Sequence, residues 1–296
     1  MIFIKRIYII LFALIIIGSI IIDVRLNMKK EYNNNYIEKD NSENNSKKEN
    51  EKNVYNEGTT TFDNIKTYKI DNEERYNNYK KNNEYLSNEE IVKNVNINLD
   101  YDFYSVTFPS INNYTPLVLA NKHYNLGVDY VPTDLINYAY PYAINSNIMG
   151  SSEAYNHFKD MYNDAVSLGL NIKIISAYRS YEYQKKLYEG YLRNDSVEVV
   201  DTYSARAGSS EHQTGYAYDI YNTVKAYTDF GSTEEYKWVK DNAHLYGFII
   251  RYTSDNTKIT GYKNEPWHIR YVGIDAAKYI YENNITLEEY ILNNPN

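Results

Sequence analysis

The chain of 296 residues has a formal net charge of −8 at pH 7 and contains five histidines and no cysteine. A net negative charge argues against nucleic acid as the main partner, because phosphate backbones bind positively charged surfaces. Without cysteine the chain can form no disulfide, thiolate metal site or cysteine nucleophile. A transition-metal site would therefore have to use His, Asp and Glu side chains.

Residues 1–27 predict an N-terminal membrane anchor. Lys5 and Arg6 precede the apolar run IYIILFALIIIGSIII, which basic flanks and the apolar first residues can extend to the length that spans a bilayer. No small-residue cleavage site follows, so an uncleaved signal-anchor fits better than a removed signal peptide. Basic residues on both sides of the run leave its orientation in the membrane open. Both a signal-anchor and a cleaved signal peptide would send the rest of the chain into the export pathway.

Residues 28–95 are rich in Asn, Lys and Glu and predict a disordered polar spacer. The few apolar side chains there cannot bury enough surface to offset the entropy that is lost on ordering. Apolar, proline-containing segments follow. The sequence therefore predicts a globular domain over residues 96–296.

The globular part alternates helices with short strands. Helices are predicted over residues 153–168 and 181–192, with the strand NIKIIS between them. Ser232 and Glu235 predict a capping box for a third helix. FIIRY and WHIRYV predict strands, and two short helices close the chain. This pattern is typical of an α+β fold with a small, largely antiparallel sheet flanked by helices.

Two polar segments could together form a metal site. SSEHQTGYAYD contains His212 and Asp219, and Gly215 between them favours a turn that enters a strand. A bend at that glycine would let both side chains point at one centre. EPWHIRY supplies His268 on a strand. Two histidines and one carboxylate suit zinc and leave a fourth position for water.

Glu265 precedes His268 by three positions and is predicted to act as a general base. Zinc lowers the pKa of water to about 7, so a nearby carboxylate can complete its activation. The residue before a proline avoids the helical region, so Pro266 predicts that Glu265 lies on a loop before the strand of His268. Glu265 would then reach the water without ligating the metal.

Three segments, SAYRSYEYQ, SSEHQTGYAYDI and EPWHIRYVG, resemble the signature blocks of the VanY-type D-alanyl-D-alanine carboxypeptidases. These belong to the LAS group of zinc peptidases, whose pattern is S-x-H-x(6)-D … E-x-x-H. The resemblance covers about residues 105–285 and implies an LAS/hedgehog-like zinc peptidase fold. It implies one Zn²⁺ per chain on His212, Asp219 and His268 with Glu265 as the catalytic base, and substrate contacts from Arg179, Ser210 and Gln184.

Arg179 also has a chemical reason to bind substrate. A carboxypeptidase must recognise a free C-terminal carboxylate, and a planar guanidinium at a strand end can bind it bidentately. Simpler interpretations remain for each contact residue. Arg179 could be a structural ion-pair residue, Ser210 could end the turn before His212, and Gln184 could be a helix-surface residue.

Other residues are expected to be structural. Arg270 alternates with apolar neighbours on a strand and is expected to pair with a buried acid. Trp267 is expected to pack along one wall of the site. The remaining histidines, His123, His157 and His244, are not expected to be ligands.

These features predict a membrane-anchored zinc D,D-carboxypeptidase that removes the terminal D-alanine from peptidoglycan stem peptides. The spacer would let a monomeric domain reach the wall, and this substrate would place the domain on the extracytoplasmic side of the cell membrane. An L,D-carboxypeptidase or a related wall endopeptidase is the nearest alternative, since such enzymes share the metal centre. A catalytically inactive wall-binding module would have lost a ligand or the glutamate, and neither is missing.

Overall fold

Residues 62–293, the part of the chain that the computed structural model describes, fold as an α+β unit. Its strands are β1 (Phe108–Pro109), β2 (Tyr124–Asn125), β3 (Leu135–Asn137), β4 (Met149–Ser151), β5 (Lys173–Ser176), β6 (Ala217–Tyr221), β7 (Phe248–Ile250) and β8 (His268–Tyr271). Its α-helices are α1 (Glu73–Asn82), α2 (Asn88–Asn96), α3 (Ser152–Ser167), α4 (Tyr181–Tyr191), α5 (Val197–Val200), α6 (Glu234–Asn242), α7 (Thr257–Thr260), α8 (Ile274–Asn283) and α9 (Leu287–Asn293). The first two helices predicted for the globular part are confirmed to within one residue as α3 and α4.

A four-stranded antiparallel sheet in the order β5-β6-β8-β7 carries the polar segments that the sequence singles out. Asp219 of β6 pairs with His268 of β8, and Ser176 of β5 pairs with Asp219 after a bulge. Directly opposite residues on antiparallel strands have Cβ atoms about 4.5–5.5 Å apart on the same face. The register therefore places Asp219 and His268 side by side.

Apolar packing between the sheet and α3 holds this platform in place. Phe158 of α3 lies edge-on to Tyr218 of β6 and to Phe248 of β7, with ring centroids 5.9 and 6.3 Å apart. Ile172, just before β5, and Ile174 within it are fully buried. Each such side chain contributes roughly 1.5–3 kcal/mol when it leaves water, so the sheet is a firm base for the residues at its polar end.

The start of α6 differs from the predicted capping box. Thr233 caps the helix, because its hydroxyl accepts a hydrogen bond from the amide of Tyr236. Ser232 still belongs to a preceding 3₁₀ helix, and Glu235 instead accepts a hydrogen bond from Asn222. The prediction was wrong by one residue, since two hydroxyl residues stand next to each other and the 3₁₀ turn occupies the first.

The structure corrects the predicted disordered spacer between residues 62 and 95. Helices α1 and α2 pack around a small buried core: Phe62, Tyr76, Ile91, Val92 and Val95. A capping box formed by Ser87 and Glu90 begins α2, and Asn96 at its end donates a hydrogen bond to Asn293 of α9. The apolar residues recur at helical spacing, but the many Asn and Lys residues around them make the segment polar on average, and the prediction rested on that composition.

The predicted signal-anchor, residues 1–27, and the first part of the predicted spacer, residues 28–61, lie outside the described residues. Among the residues that are described, no helix combines the length and the apolar character needed to cross a bilayer. Both N-terminal assignments therefore stay predictions.

Candidate metal centre

The three predicted metal ligands, His212, Asp219 and His268, converge in the structure. One donor atom from each lies within 4.8 Å of the others, and all three side chains are buried. Within residues 62–293, no other group of three His, Asp or Glu side chains meets this spacing. The arrangement gives two imidazole nitrogens and one carboxylate oxygen around a common point.

Gly215 brings the first two of these residues together. His212 lies in a 3₁₀ helix (Glu211–Thr214), and Gly215 ends that helix with a φ of 77° before the chain enters β6. A residue with a side chain would be strained at this positive φ. Its Cβ would also lie 3.2–3.3 Å from atoms of Leu135 and Ser151. The predicted bend at Gly215 is confirmed.

Hydrogen bonds fix which atoms face the common point. His212 Nδ1 lies 2.6 Å from the carbonyl oxygen of Ala177, so this nitrogen carries the proton and donates it. His212 Nε2 and His268 Nδ1 each lie 3.4 Å from Asp219 Oδ1. An ion would therefore meet His212 Nε2, Asp219 Oδ1 and His268 Nδ1. This donor set fits zinc, which binds imidazole and carboxylate and keeps an open position in catalytic sites.

The charge state of two of the ligands already suits a metal. Burial and the nearby Arg179 guanidinium lower the pKa of His212 to about 4, so its ring is neutral at pH 7. Burial would raise the pKa of Asp219, but His212 and Arg179 outweigh it and hold that pKa well below its usual range. For His268, hydrogen bonds to Asp219 and Glu211 outweigh burial and raise the pKa to about 9. A metal ion would have to displace that proton.

Glu265 lies beside the group without joining it. Its Oε2 is 3.9 Å from His268 Nδ1, and its backbone amide donates to the carbonyl of Tyr252. Strand β8 begins only at His268, so Pro266 and Trp267 hold Glu265 off the strand as predicted. Burial raises the pKa of Glu265 to about 7. A carboxylate with that pKa can take up and release a proton near neutral pH.

Arg179 follows β5 and is held against the metal ligands. Its Nη2 forms an ion pair with Asp219 Oδ2, and its Nε donates to Ser176 Oγ over 3.0 Å. Its backbone amide donates to the carbonyl of His212. The guanidinium also lines the cavity in front of the metal group, so it combines an ion pair with access to a ligand.

The cavity has a volume of about 580 Å³ and is also lined by Ser210 and Gln184. Gln184 is 2% exposed, so its interpretation as a helix-surface residue was wrong. Its Nε2 donates to Ala205 O and Ser204 Oγ, whereas its buried Oε1 has no partner. Ser210 precedes the 3₁₀ helix of His212, but its hydroxyl makes no capping hydrogen bond. Both side chains therefore carry polar atoms that no local structure uses.

Aromatic side chains form much of the remaining wall. They are Tyr183, Tyr191, Tyr203, Tyr227, Tyr252, Tyr262 and Trp267. Trp267 lies edge-on to Tyr227 with ring centroids 5.2 Å apart, which agrees with its predicted packing role along one wall. The other histidines lie elsewhere: His157 stacks on Tyr271 and His244 on Tyr281, while His123 packs near Phe103.

A buried ionic network behind His268 was not predicted from the sequence. Glu211 accepts hydrogen bonds from Arg251 and Arg270, and Arg251 also forms two hydrogen bonds with Glu288. The expected pairing of Arg270 with a buried acid is thus confirmed, and that acid is Glu211. The available signal was an arginine in each of the apolar strand segments FIIRY and WHIRYV, because a buried cation requires an anion.

Sequence comparison places the chain among known carboxypeptidases. The family model of D-alanyl-D-alanine carboxypeptidase, VanY, matches residues 147–274. A D-alanyl-D-alanine carboxypeptidase of Enterococcus faecium is 38% identical over 183 residues, which are 59% of this chain and 57% of the relative. The chain thus spans less than two thirds of that relative's length.

Two solved structures share the fold, and each matches about three fifths of this chain. The LdcB LD-carboxypeptidase, solved to explain peptidoglycan recognition, has a TM-score of 0.57 at 39% identity, over 61% of this chain and 88% of its own. A glutamate-to-alanine mutant of the vancomycin-resistance D,D-pentapeptidase VanY, from a VanB-type cassette and in complex with Zn(II), has a TM-score of 0.51 at 31% identity, over 60% of this chain and 98% of its own. The predicted LAS-type fold is confirmed. This chain belongs to the VanY family of D-alanyl-D-alanine carboxypeptidases.

Proposed function

We propose that this chain is a zinc-dependent D,D-carboxypeptidase that removes the C-terminal D-alanine from peptidoglycan stem peptides. The observation that carries the proposal is the meeting of three metal-ligand side chains, Glu265 and Arg179 in one cavity. The family match and a D,D-pentapeptidase relative in complex with Zn(II) support it. One zinc ion per chain, held by His212, Asp219 and His268, is part of the proposal.

Glu265 moves the protons of the reaction. Zinc, when bound, supplies a Lewis acid for the scissile carbonyl and lowers the pKa of water beside it. Glu265 accepts a proton as the water oxygen bonds to the carbonyl carbon, and it returns a proton to the amine nitrogen as the C–N bond breaks. Its pKa of about 7 in the metal-free protein is suited to both transfers near neutral pH.

Arg179 selects the end of the peptide. Its guanidinium lines the cavity and can form charge-assisted hydrogen bonds with a free terminal carboxylate. Its ion pair with Asp219 holds it at a set place relative to the metal ligands. We expect a carboxylate bound there to lie one residue beyond the scissile bond, so that the enzyme removes a single residue.

Gln184 and Ser210 are placed to bind the peptide backbone. Gln184 lines the cavity, and its buried Oε1 has no partner, which costs about 1–3 kcal/mol. Ser210 lines the same cavity with a hydroxyl that the adjacent helix cap does not use. Both would therefore align the scissile bond with the metal group.

An L,D-carboxypeptidase that trims tetrapeptide stems is the second candidate. The LD-carboxypeptidase relative has the higher TM-score, 0.57 against 0.51, and the higher identity, 39% against 31%. Both activities use the same ligands, base and arginine, so the cavity wall that meets the residue before the scissile bond decides between them. An endopeptidase would have no terminal carboxylate for Arg179, and an inactive wall-binding module would not need to keep Glu265.

We further propose that the domain works outside the cytoplasmic membrane as a monomer, anchored by residues 1–27. The basic and apolar segments at the N-terminus and the location of peptidoglycan support this placement. Fractionation of cells that express the full chain should recover it with membranes, and protease added outside spheroplasts should degrade it. A protected, cytoplasmic chain would contradict the placement.

Mass spectrometry of two stem peptides tests the activity. The zinc-loaded chain is incubated with a pentapeptide ending in D-Ala-D-Ala and with a tetrapeptide ending in a single D-alanine, each with and without a chelator. We expect zinc-dependent loss of one D-alanine from the pentapeptide alone. Loss from the tetrapeptide alone would establish the second candidate, and loss from neither would contradict both.

A further inference from the structure

Glu211 is a buried carboxylate that contacts a predicted metal ligand from behind. Its Oε2 lies 3.4 Å from His268 Nε2, while the other ring nitrogen of His268 faces Asp219. The side chain of Glu211 is fully buried, and that of His268 is 5% exposed. The histidine therefore lies between a carboxylate on the cavity side and one on the interior side.

The two oxygens of Glu211 serve different partners. Oε1 accepts hydrogen bonds from Arg251 Nε over 2.7 Å and from Arg270 Nη1 over 3.0 Å, which leaves Oε2 for His268. Both arginines have further partners: Arg251 bonds Glu288, and Arg270 Nη2 donates to the carbonyls of Pro116 and Val118. The carboxylate plane therefore cannot turn away from the imidazole without breaking two charged hydrogen bonds.

Glu211 also stands next to the first ligand along the chain. It opens the 3₁₀ helix that carries His212, so one short turn presents one ligand and supports another. A carboxylate that accepts the second N–H of a metal-binding histidine fixes the tautomer and orientation of the ring and makes it a stronger donor. The geometry at His268 Nε2 is of this kind.

We propose that Glu211 is a positioning residue for His268: it accepts the Nε2 proton and thereby directs Nδ1 toward the metal position. The inference rests on the proposed zinc function, and it assigns the ionic network a role in metal affinity beyond folding. The side chain of Glu211 is fully buried and lies outside the group of three metal ligands.

Glu288 offers a matched control. It is another buried glutamate of the same network and forms two hydrogen bonds with Arg251, over 2.6 and 3.0 Å. Glu288 also accepts a hydrogen bond from Asn121 Nδ2. The carboxylates that contact the two ring nitrogens of His268 are instead those of Glu211 and Asp219. Glu288→Gln therefore disturbs the same buried charges as Glu211→Gln but leaves the imidazole contact in place.

Zinc affinity of the purified full chain, measured by competition with a chelating dye, tests the proposal. We expect Glu211→Gln to weaken zinc binding about 10- to 100-fold and Glu288→Gln to change it less than about threefold. Circular dichroism and the melting temperature of each metal-free variant show whether it is folded. Unchanged affinity in folded Glu211→Gln, or an equal loss in both variants, would overturn the proposal.

A second measurement needs no variant. In zinc-loaded wild-type protein with ¹⁵N-labelled histidine, NMR should show His268 bound to zinc through Nδ1, with a slowly exchanging proton on Nε2. Zinc on Nε2, or a rapidly exchanging Nε2 proton, would overturn the role of Glu211. A wild-type chain that takes up no zinc would instead overturn the proposed function, so the two failures are distinguishable.

Discussion

The two sides of His268 differ in how their carboxylates are held. On the cavity side, Glu265 lies 3.9 Å from the ring and contributes to the wall of an open cavity of about 580 Å³. On the interior side, Glu211 lies 3.4 Å from the ring and is enclosed by two arginines. Both carboxylates are buried at one histidine, yet their pKa values move in opposite directions.

Burial raises the pKa of a carboxyl group unless cations compensate for it. Glu265 has no directly bonded arginine or lysine among the described residues, and burial raises its pKa to about 7. For Glu211, the charges of Arg251 and Arg270 outweigh burial and lower the pKa well below its usual range. Glu265 can therefore exchange a proton near neutral pH, whereas Glu211 stays ionised and serves as a fixed acceptor.

Replacing the cavity-side carboxylate should have the largest effect on activity. Glu265→Gln keeps the shape of the side chain but cannot accept a proton, so we expect kcat to fall about 100- to 10,000-fold. Release of D-alanine from the pentapeptide measures this loss. Zinc content is the control and should stay at the wild-type level, because Glu265 lies outside the ligand group. Activity that survived the change would disprove the assignment of the base.

Removing a cation from the interior side should lower stability more than any surface change. Arg251→Met takes a cationic partner from the buried Glu211 and Glu288, and we expect the free energy of unfolding to fall by about 3–5 kcal/mol. Urea unfolding measures it. Arg206→Met is the matched control: the Arg206 side chain is 42% exposed where it pairs with Asp201, and we expect a loss below about 1 kcal/mol. Equal losses in the two variants would contradict the distinction between buried and surface pairs.

Arg179 should affect recognition of the peptide end. Charged hydrogen bonds contribute about 1.5–3 kcal/mol, so we expect Arg179→Gln to lower kcat/KM about 10- to 100-fold for a peptide with a free carboxylate. A peptide with an amidated C-terminus supplies the comparison. Wild type should process it poorly, and the variant should distinguish the two peptides much less. Equal wild-type rates on both peptides would show that Arg179 does not bind the carboxylate.

Lys122 tests the same rule for a buried cation, whose pKa falls on burial unless an anion compensates for it. Its ammonium donates to the carbonyls of Asp201 and Gly261, and burial lowers its pKa to about 8. A folded pKa below the unfolded value of about 10.4 means that stability rises with pH across this window and is lost as pH falls through 8. Relative to Lys122→Met, wild type should gain about 2 kcal/mol in unfolding free energy between pH 7 and pH 9.5. A difference that does not vary with pH would contradict this.

The metal group could be predicted because its determinants are local in sequence. Gly215 between His212 and Asp219 signals the bend, and Pro266 signals that Glu265 lies off the strand. The sequence does not show that the segment of Asp219 and the segment of His268 lie side by side. The sheet brings them together, because β6 and β8 are neighbouring strands. Local chemistry thus identified the residues, and strand pairing placed them together.

Beyond the pairing of Arg270 with a buried acid, the interior network could not be predicted, because its contacts join distant positions. Arg251 lies 40 residues from Glu211 and 37 from Glu288, and neither glutamate carries a local signal of burial. The α1–α2 pair was missed for a related reason, since average composition conceals a short apolar stripe. The network depends on distant packing partners, whereas the helix pair carried a helical spacing that average composition concealed.

The zinc content of the purified chain tests the central assignment most directly. Metal analysis should give about one zinc ion per wild-type chain and none for His268→Ala. His157→Ala is the matched control, because His157 stacks on Tyr271 outside the ligand group and should leave zinc content unchanged. A wild-type chain without zinc, or a His268→Ala chain that retains it, would contradict the metal centre.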